Sequence, residues 1–525
     1  MFDTDTITDT TAVVQGDYVT IPESQYDHMF YQLEAATSAI MQLRKEDAGW
    51  GKLDGDDLDT IPHETLVENA NQVRAFSQLN PLMKRGKIIR AGYVFGDGIN
   101  ITARSDGKAA NTQDVATVID EFVEDNRNLA AVFSTNAQHS IEHDLFDDGN
   151  VFLGHWVNPL TGFVQVRQIS FDQITRIRTR PGDDLLPQFY LRQWTLTDDN
   201  GNTKQLKAWY PDLRHHPSAK MKKIEGIPVL WPGKTYPGYG TGAAIYHMKV
   251  NALGRRKLWG VGDGYAAMPW AKGYTGFMND WARLMNSLSK LSYNFKGAGG
   301  QDQMRRAVAG LQNGPSGGMT YGTMEVEAPN IRGASFDADS GRPFAALVAA
   351  ALGVSVTILT ADPGSTGARA VAETLDTPQR NEMKARQRVH VSYYRAVCDF
   401  LVQQAVIAPR GPLRGTVKYE DDQLIVEFRD KTDPNVDITM PDLEDIDTKV
   451  MIEAIAQADA TGKLPPVETL KLILRAFKYD DLASIVDANT DDEGNWIDPY
   501  AATDAAAGRA AADLLRRGGN PADVL

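Results

Sequence analysis

His139, Glu142 and His143 have the most obvious claim to chemistry in this 525-residue sequence. On a helix, H-x-x-E-H puts two imidazoles one turn apart on one face, where they can share a metal ion. The glutamate would then serve as base toward a metal-bound water. No third ligand is in evidence nearby, so a zinc-dependent hydrolase built on these three residues stands as the alternative reading. Gly314-Pro-Ser316-Gly-Gly318 matches the G-x-S-x-G elbow, which must join a strand to a helix. Here Gln312-Asn313 precedes it and Met319-Thr-Tyr-Gly-Thr follows, so neither flank fits, and His390 is the one histidine downstream. Gly233-Lys234-Thr235 has the end of a phosphate loop, but Pro228 stands where the first glycine is required. Pro237 and Gly238 then block the helix whose N-terminus would hold phosphate. The chain is not expected to be its own ATPase.

Composition narrows the classes. Hydrophobic residues make up 42% and charged residues 23%, which fits a folded chain of several domains. No run approaches the 18 apolar residues of a membrane span. The acidic start, Met-Phe-Asp-Thr-Asp-Thr, lacks the basic and apolar regions of a signal peptide. The single cysteine, Cys398, excludes an intrachain disulfide framework. A formal net charge of −15 argues against a protein that wraps nucleic acid, because tight non-specific binding neutralises phosphates with Lys and Arg. It is compatible with a channel through which DNA slides without sticking.

The elements that must position these residues alternate in period. Residues 1–25 read as a loose arm, 26–45 as a first helix and 49–59 as a linker. Residues 63–95 read as helix, with Asn80-Pro81 opening a second one, and 93–101 as a short strand. Helices are expected over 112–126 and 129–147. From 149 to 230 the pattern becomes strand-like, with candidates at 151–157, 163–169, 189–195, 205–210 and 229–230. One more strand is expected at 244–250. Over 265–293, Tyr274, Phe277, Met278, Trp281, Leu284, Met285, Leu288 and Leu291 form an apolar stripe on one long helix. Such a stripe alone is usually ordinary core. A Gly-rich insert follows at 296–336, holding a short helix over 304–311 and two strands. Then come a short apolar helix at 344–352, a small-residue loop at 360–368 and a long helix to about 407, kinked or restarted at Thr377-Pro378. A hairpin at 415–419 and 423–429, three helices between 443 and 487, and an Ala-rich tail complete the chain.

This order of elements resembles the portal protein of tailed bacteriophages. Asp144-Leu-Phe-Asp-Asp-Gly-Asn-Val-Phe-Leu153 resembles the portal's acidic-helix, glycine, strand junction, and Gly364-Ser365-Thr366-Gly367-Ala368-Arg369-Ala370 resembles its tunnel loop. The resemblance covers roughly residues 65–490 and rests on element order and loop chemistry. It implies an α+β portal-type fold: arm and first helix 1–60, α/β wing 61–260, first stem helix 261–295 and small α/β clip 296–336. The second stem helix would be 337–356, the tunnel loop 357–369, the wing helix and hairpin 370–435, a helical crown 436–488 and the tail 489–525. Tyr274, Phe277, Met278, Trp281, Leu284, Met285 and Leu288 would pack the stem. Met304, Arg305, Arg306, Met319 and Tyr321 would lie in the clip, and Asp362, Gly364, Ser365, Thr366, Gly367 and Arg369 would face DNA. The function implied is a non-enzymatic ring, of twelve subunits in the family, at one capsid vertex. Double-stranded DNA would pass through it without sequence readout. The terminase large subunit and later the head–tail adaptor would dock on the clip, wing and crown would contact the capsid and packaged DNA, and major capsid and scaffolding proteins would be partners. Assembly would occur in the host cytoplasm and the final place would be the virion, with no cofactor and no membrane.

Overall fold

The computed structural model describes residues 13–15, 18–20, 62–96, 98–107, 111–197, 201–217, 219–254, 256–289, 294–296, 325–327, 338–361, 369–420, 423–443, 448–477, 485–486 and 489–490. The chain forms two compact units, Met1–Pro441 and Asp442–Leu525. It is an α+β protein.

In the first unit, β1 (Val13–Gln15) and β2 (Tyr18–Thr20) pair antiparallel. Helices α1 (His63–Leu79) and α2 (Pro81–Phe95) follow. Asn80 separates them: its side chain accepts hydrogen bonds from the Leu82 and Met83 amides, and Pro81 supplies the fixed φ of a first helical residue. Helix α2 continues to Phe95 where a strand was expected from 93, because Val94 and Phe95 are fully buried. The strand is instead β3 (Asn100–Ala103). Helix α3 (Val115–Glu124), capped by Asp114, leads through a π-helical turn at Leu129–Phe133 into α4 (Thr135–Asp148), capped by Ser134.

Strands β4 (Asn150–Val157), β5 (Val164–Ile169), β6 (Ile174–Arg180), β7 (Asp183–Thr197) and β8 (Thr203–Pro211) follow. Two small hairpins of two-residue strands come next: β9 (Lys223–Ile224) with β10 (Ile227–Pro228), and β11 (Thr235–Tyr236) with β12 (Gly240–Thr241). Strand β13 (Ala243–Lys249) closes one antiparallel sheet in the order β13-β4-β5, while β6-β7-β8 form another. Strand β6 was not anticipated; its Arg176, Arg178 and Arg180 mask the alternation.

Helix α5 (Asp263–Ser289) is long, as its stripe predicts, and β14 (Asn294–Lys296) pairs with β15 (Glu325–Glu327) beyond it. Helix α6 (Arg342–Leu352) ends on Gly353, whose φ is +62°, and the unforeseen α7 (Val356–Thr360) follows. Helix α8 (Arg369–Ile407) runs through Pro378 as one helix, so of the expected kink or restart at Thr377-Pro378 the restart does not occur. Strands β16 (Thr416–Glu420) and β17 (Gln423–Glu427) make the expected hairpin, and β18 (Val436–Thr439) pairs with β3. The main core lies between α8, α3, α4 and β4, β5 and β13, centred on Phe122, Leu145, Tyr393 and Phe400. A second apolar cluster joins α2, α5 and α6 through Met83, Ala267, Ala271, Val348 and Leu352.

In the second unit, α9 (Thr448–Asp459) and α10 (Pro466–Ala476) are joined by a short turn at Gly462. Thr469 donates to Asp459 across them at 2.9 Å. Of the expected helix at 482–487 only residues 485–486 are described, and they are helical; the tail beyond 490 and most of residues 1–61 lie outside the described residues.

Candidate functional site

Helix α4 carries the H-x-x-E-H pattern, and its glutamate is the centre of a buried ionic network. Glu142 is fully buried. It accepts hydrogen bonds from Arg386 Nε at 2.9 and 3.1 Å, and His390 Nε2 lies 2.9 Å from it. Arg386 also donates to Asp263 at 2.8 Å, the first residue of α5. Asp263 is shared with Arg90 of α2 at 3.2 Å. Arg90 reaches on to Glu382 of α8 at 3.0 Å and to the Leu352 carbonyl, at the end of α6, at 2.5 Å. Five helices (α2, α4, α5, α6 and α8) therefore meet at one set of charges. Burial alone would raise the Glu142 carboxyl, but Arg386 and the His390 hydrogen bond hold it down at about 2.

This geometry corrects the zinc-hydrolase reading. A carboxylate engaged on both oxygens by a guanidinium and an imidazole is not free to take a proton from water. The His139 and His143 rings lie 6.4 Å apart, and His139 packs 6.4 Å from Phe95. Burial and nearby Lys87 hold the His143 imidazole down at about 4. Among the described residues no three His, Cys, Asp or Glu side chains are grouped to hold a metal.

The acidic end of α4 is neutralised by α1 and α2. Lys87 meets Asp147 at 2.5 Å with both side chains buried, and Arg74 meets Asp148 at 2.6 Å. Gly149, at φ +71°, then turns the chain into β4. A Cβ on Gly149 would lie 2.2 Å from the Val261 carbonyl carbon, and one on Gly262 would lie 2.4 Å from the Phe146 and Asp147 carbonyl oxygens. The start of α5 thus presses directly on the end of α4, and only glycine permits the approach.

From that anchored start α5 changes character along its length. Ala267, Met268 and Ala271 are buried. Tyr274, Phe277, Met278, Trp281, Leu284 and Met285 are half-buried, and the Leu288 side chain lies outside the described residues. Helix α6 runs back along α5 in the opposite direction. Phe344, near its start, lies 6.3 Å from Phe277, and its last carbonyl, on Leu352, shares Arg90 with Asp263 at the start of α5. The insert between them leaves and returns at the same end of this helix pair, and its flanks pair as β14 and β15. Met304, Arg305, Arg306, Met319 and Tyr321 lie outside the described residues, as does the Gly314–Gly318 pattern.

The stretch from α7 to the start of α8 also returns to a fixed base. The Ser355 amide donates to the Gln379 side chain at 3.1 Å, and Glu382 sits against Gly353 and Arg90. Between these points Asp362, Gly364, Ser365, Thr366 and Gly367 lie outside the described residues; Arg369 opens α8, its side chain likewise outside them. Gly233-Lys234-Thr235 leads into the β11–β12 hairpin, with Gly233 at φ +72° and the Lys234 carbonyl accepting from the Gly242 amide at 2.8 Å. No helix follows it.

No family's sequence profile matches the chain, and no curated protein does. Among solved structures the chain is similar to a component of the neck of an empty GTA particle computed with C6 symmetry: TM-score 0.44, 14% identity, 76% of this chain and 93% of that one. It is similar to a chain in the virion of a native gene transfer agent particle, with TM-score 0.44, 13% identity, and 77% and 93% coverage. A chain from the neck of a native GTA particle computed with C12 symmetry gives TM-score 0.41, 13% identity, and 76% and 92% coverage.

Proposed function

We propose that this chain is a portal-type channel subunit: a non-enzymatic protein that closes into a ring, taken as twelve copies from the family resemblance. DNA would pass through the ring at one vertex of a virion. The observation that carries the proposal is the antiparallel pair α5–α6. Its base is locked by Asp263, Arg90 and Arg386, and its open end carries an insert whose flanks pair as β14–β15. An apolar stripe that stays half-buried on so long a helix gains most by packing against copies of itself in a ring. The remaining assignments follow the same reading. The insert is the clip, where motor and adaptor proteins would dock. Residues 357–369 are the tunnel loop, with the Ser355–Gln379 contact at its base. Residues 436–488 are the crown.

Introducing two charges on the stripe, Phe277→Glu with Leu284→Glu, tests it. The purified variant is expected to keep the circular dichroism of the wild type and to sediment as a monomer where the wild type sediments as a ring. Unchanged ring formation by the folded variant would count against the stem assignment.

A further inference from the structure

The net charge of the chain conceals a region of opposite sign. Between 174 and 234 there are eleven Lys and Arg against six Asp and Glu, a balance of +5 where the whole chain has −15, so the rest carries −20. Three of these cations, Arg176, Arg178 and Lys207, share one face of the β6-β7-β8 sheet, while Arg192 and Lys204 lie on the other. In register, Arg176 lies beside Leu191 and Trp209, and Arg178 beside Phe189. Lys207, two residues before Trp209, therefore falls on the same side. The Arg176 guanidinium sits 5.7 Å above the Trp209 ring. Glu225, at the hairpin turn, pairs with Arg176 at 2.9 Å, and Arg176, Arg178 and Lys207 together hold its carboxyl below the usual range. One carboxylate thus stands among three cations, with exposed Lys223 beside it in the hairpin. The opposite face of the sheet packs on the core through Ile174, Tyr190, Ala208 and Tyr210. On the basic side Phe189, Leu191 and Trp209 are buried under Ile224, Val229 and Trp231, which leaves the exposed Arg176 and Lys207 and the half-buried Arg178 at the surface.

The same lobe borders a surface of the other sign. Glu64 and Glu68, one turn apart on α1, line an open cavity of about 480 Å³ with Trp194 and with Asp172, whose carboxylate is paired with Arg74 at 3.2 Å.

We propose that the Arg176–Arg178–Lys207 face binds a second copy of this chain at the Glu64–Glu68 cavity, and that this contact joins neighbouring subunits; it rests on the ring reading above. A patch of one sign repels its own image, so a two-fold, self-matching contact through it is excluded. A basic patch and a distinct acidic patch on one molecule instead fit head to tail, the kind of contact that closes rings. The acidic balance of the rest of the chain favours a copy of the chain over a nucleic acid, which that charge repels.

Two variants and their combination test this in the full-length protein, with native mass spectrometry at low salt. R176E/R178E/K207E makes both patches acidic, and E64K/E68K reverses the other. Each alone, folded by circular dichroism, is expected to lose the ring. Mixed in equal amounts they are expected to form rings with the two variants in equal number, and a chain carrying all five substitutions should form rings again. Wild-type-like rings from either single-patch variant, or no rings from both the mixture and the five-fold variant, overturn the proposal while leaving the ring reading intact. So does a basic-face variant that keeps its rings and loses retention on duplex DNA, which would assign the face to phosphates. A wild-type protein that forms no ring overturns both.

Discussion

Glu142 holds its charge in the interior because Arg386 and His390 contact it directly. Removing one member of such a set leaves the others buried and unpaired, which typically costs roughly 3–5 kcal/mol. Glu142→Gln is therefore expected to lower stability at pH 7 by roughly 3 kcal/mol, read from the urea midpoint. The sign of its pH dependence follows from the depressed carboxyl. The folded value of about 2 lies below the unfolded one, near 4.3 for a glutamate. The charged form thus stabilises the fold above that unfolded value, and the benefit is lost as pH falls toward 2. The gap between wild type and variant should narrow over that window, and a gap independent of pH would show that Glu142 does not act through its charge. The sequence flagged this residue, but for the wrong chemistry. The pattern H-x-x-E-H lies within five residues, whereas the groups that fix its role, Arg386 and His390, come 244 and 248 residues later. Nothing local in sequence could reveal them.

Elements with strong local signals were legible: Asn80-Pro81 marks the break between α1 and α2, and the 3–4 spacing of the stripe marks α5. Others were hidden by their partners. Strand β18 forms only because β3, more than 300 residues earlier, offers an edge, and α8 absorbs Pro378 where local rules place a break. The tight contact between α4 and α5 makes a paired prediction at glycines. Gly262→Ala should destabilise by more than about 1 kcal/mol, because the new methyl meets backbone oxygens that cannot give way. Gly276→Ala, inside α5 with nothing within 4 Å of the added carbon, should stabilise by about 0.5–1 kcal/mol through helix propensity. Thermal melts of the two variants check this; equal effects would show that the α4–α5 approach is looser than described.

At the scale of the whole molecule, the charge is uneven: −15 overall, yet positive across the β6–β8 lobe. The single number hides the lobe, because Arg176, Arg178 and Lys207 are spread along the chain and share a face only once β6, β7 and β8 pair. The anchored helix pair α5–α6 and the two-signed lobe both favour head-to-tail association of identical chains. The most direct test of that account is native mass spectrometry of the purified full-length protein, with negative-stain images of the same sample. A closed assembly near twelve copies of 57.7 kDa, with a central hole, is the predicted result. A compact monomer at all concentrations and salt conditions would contradict it.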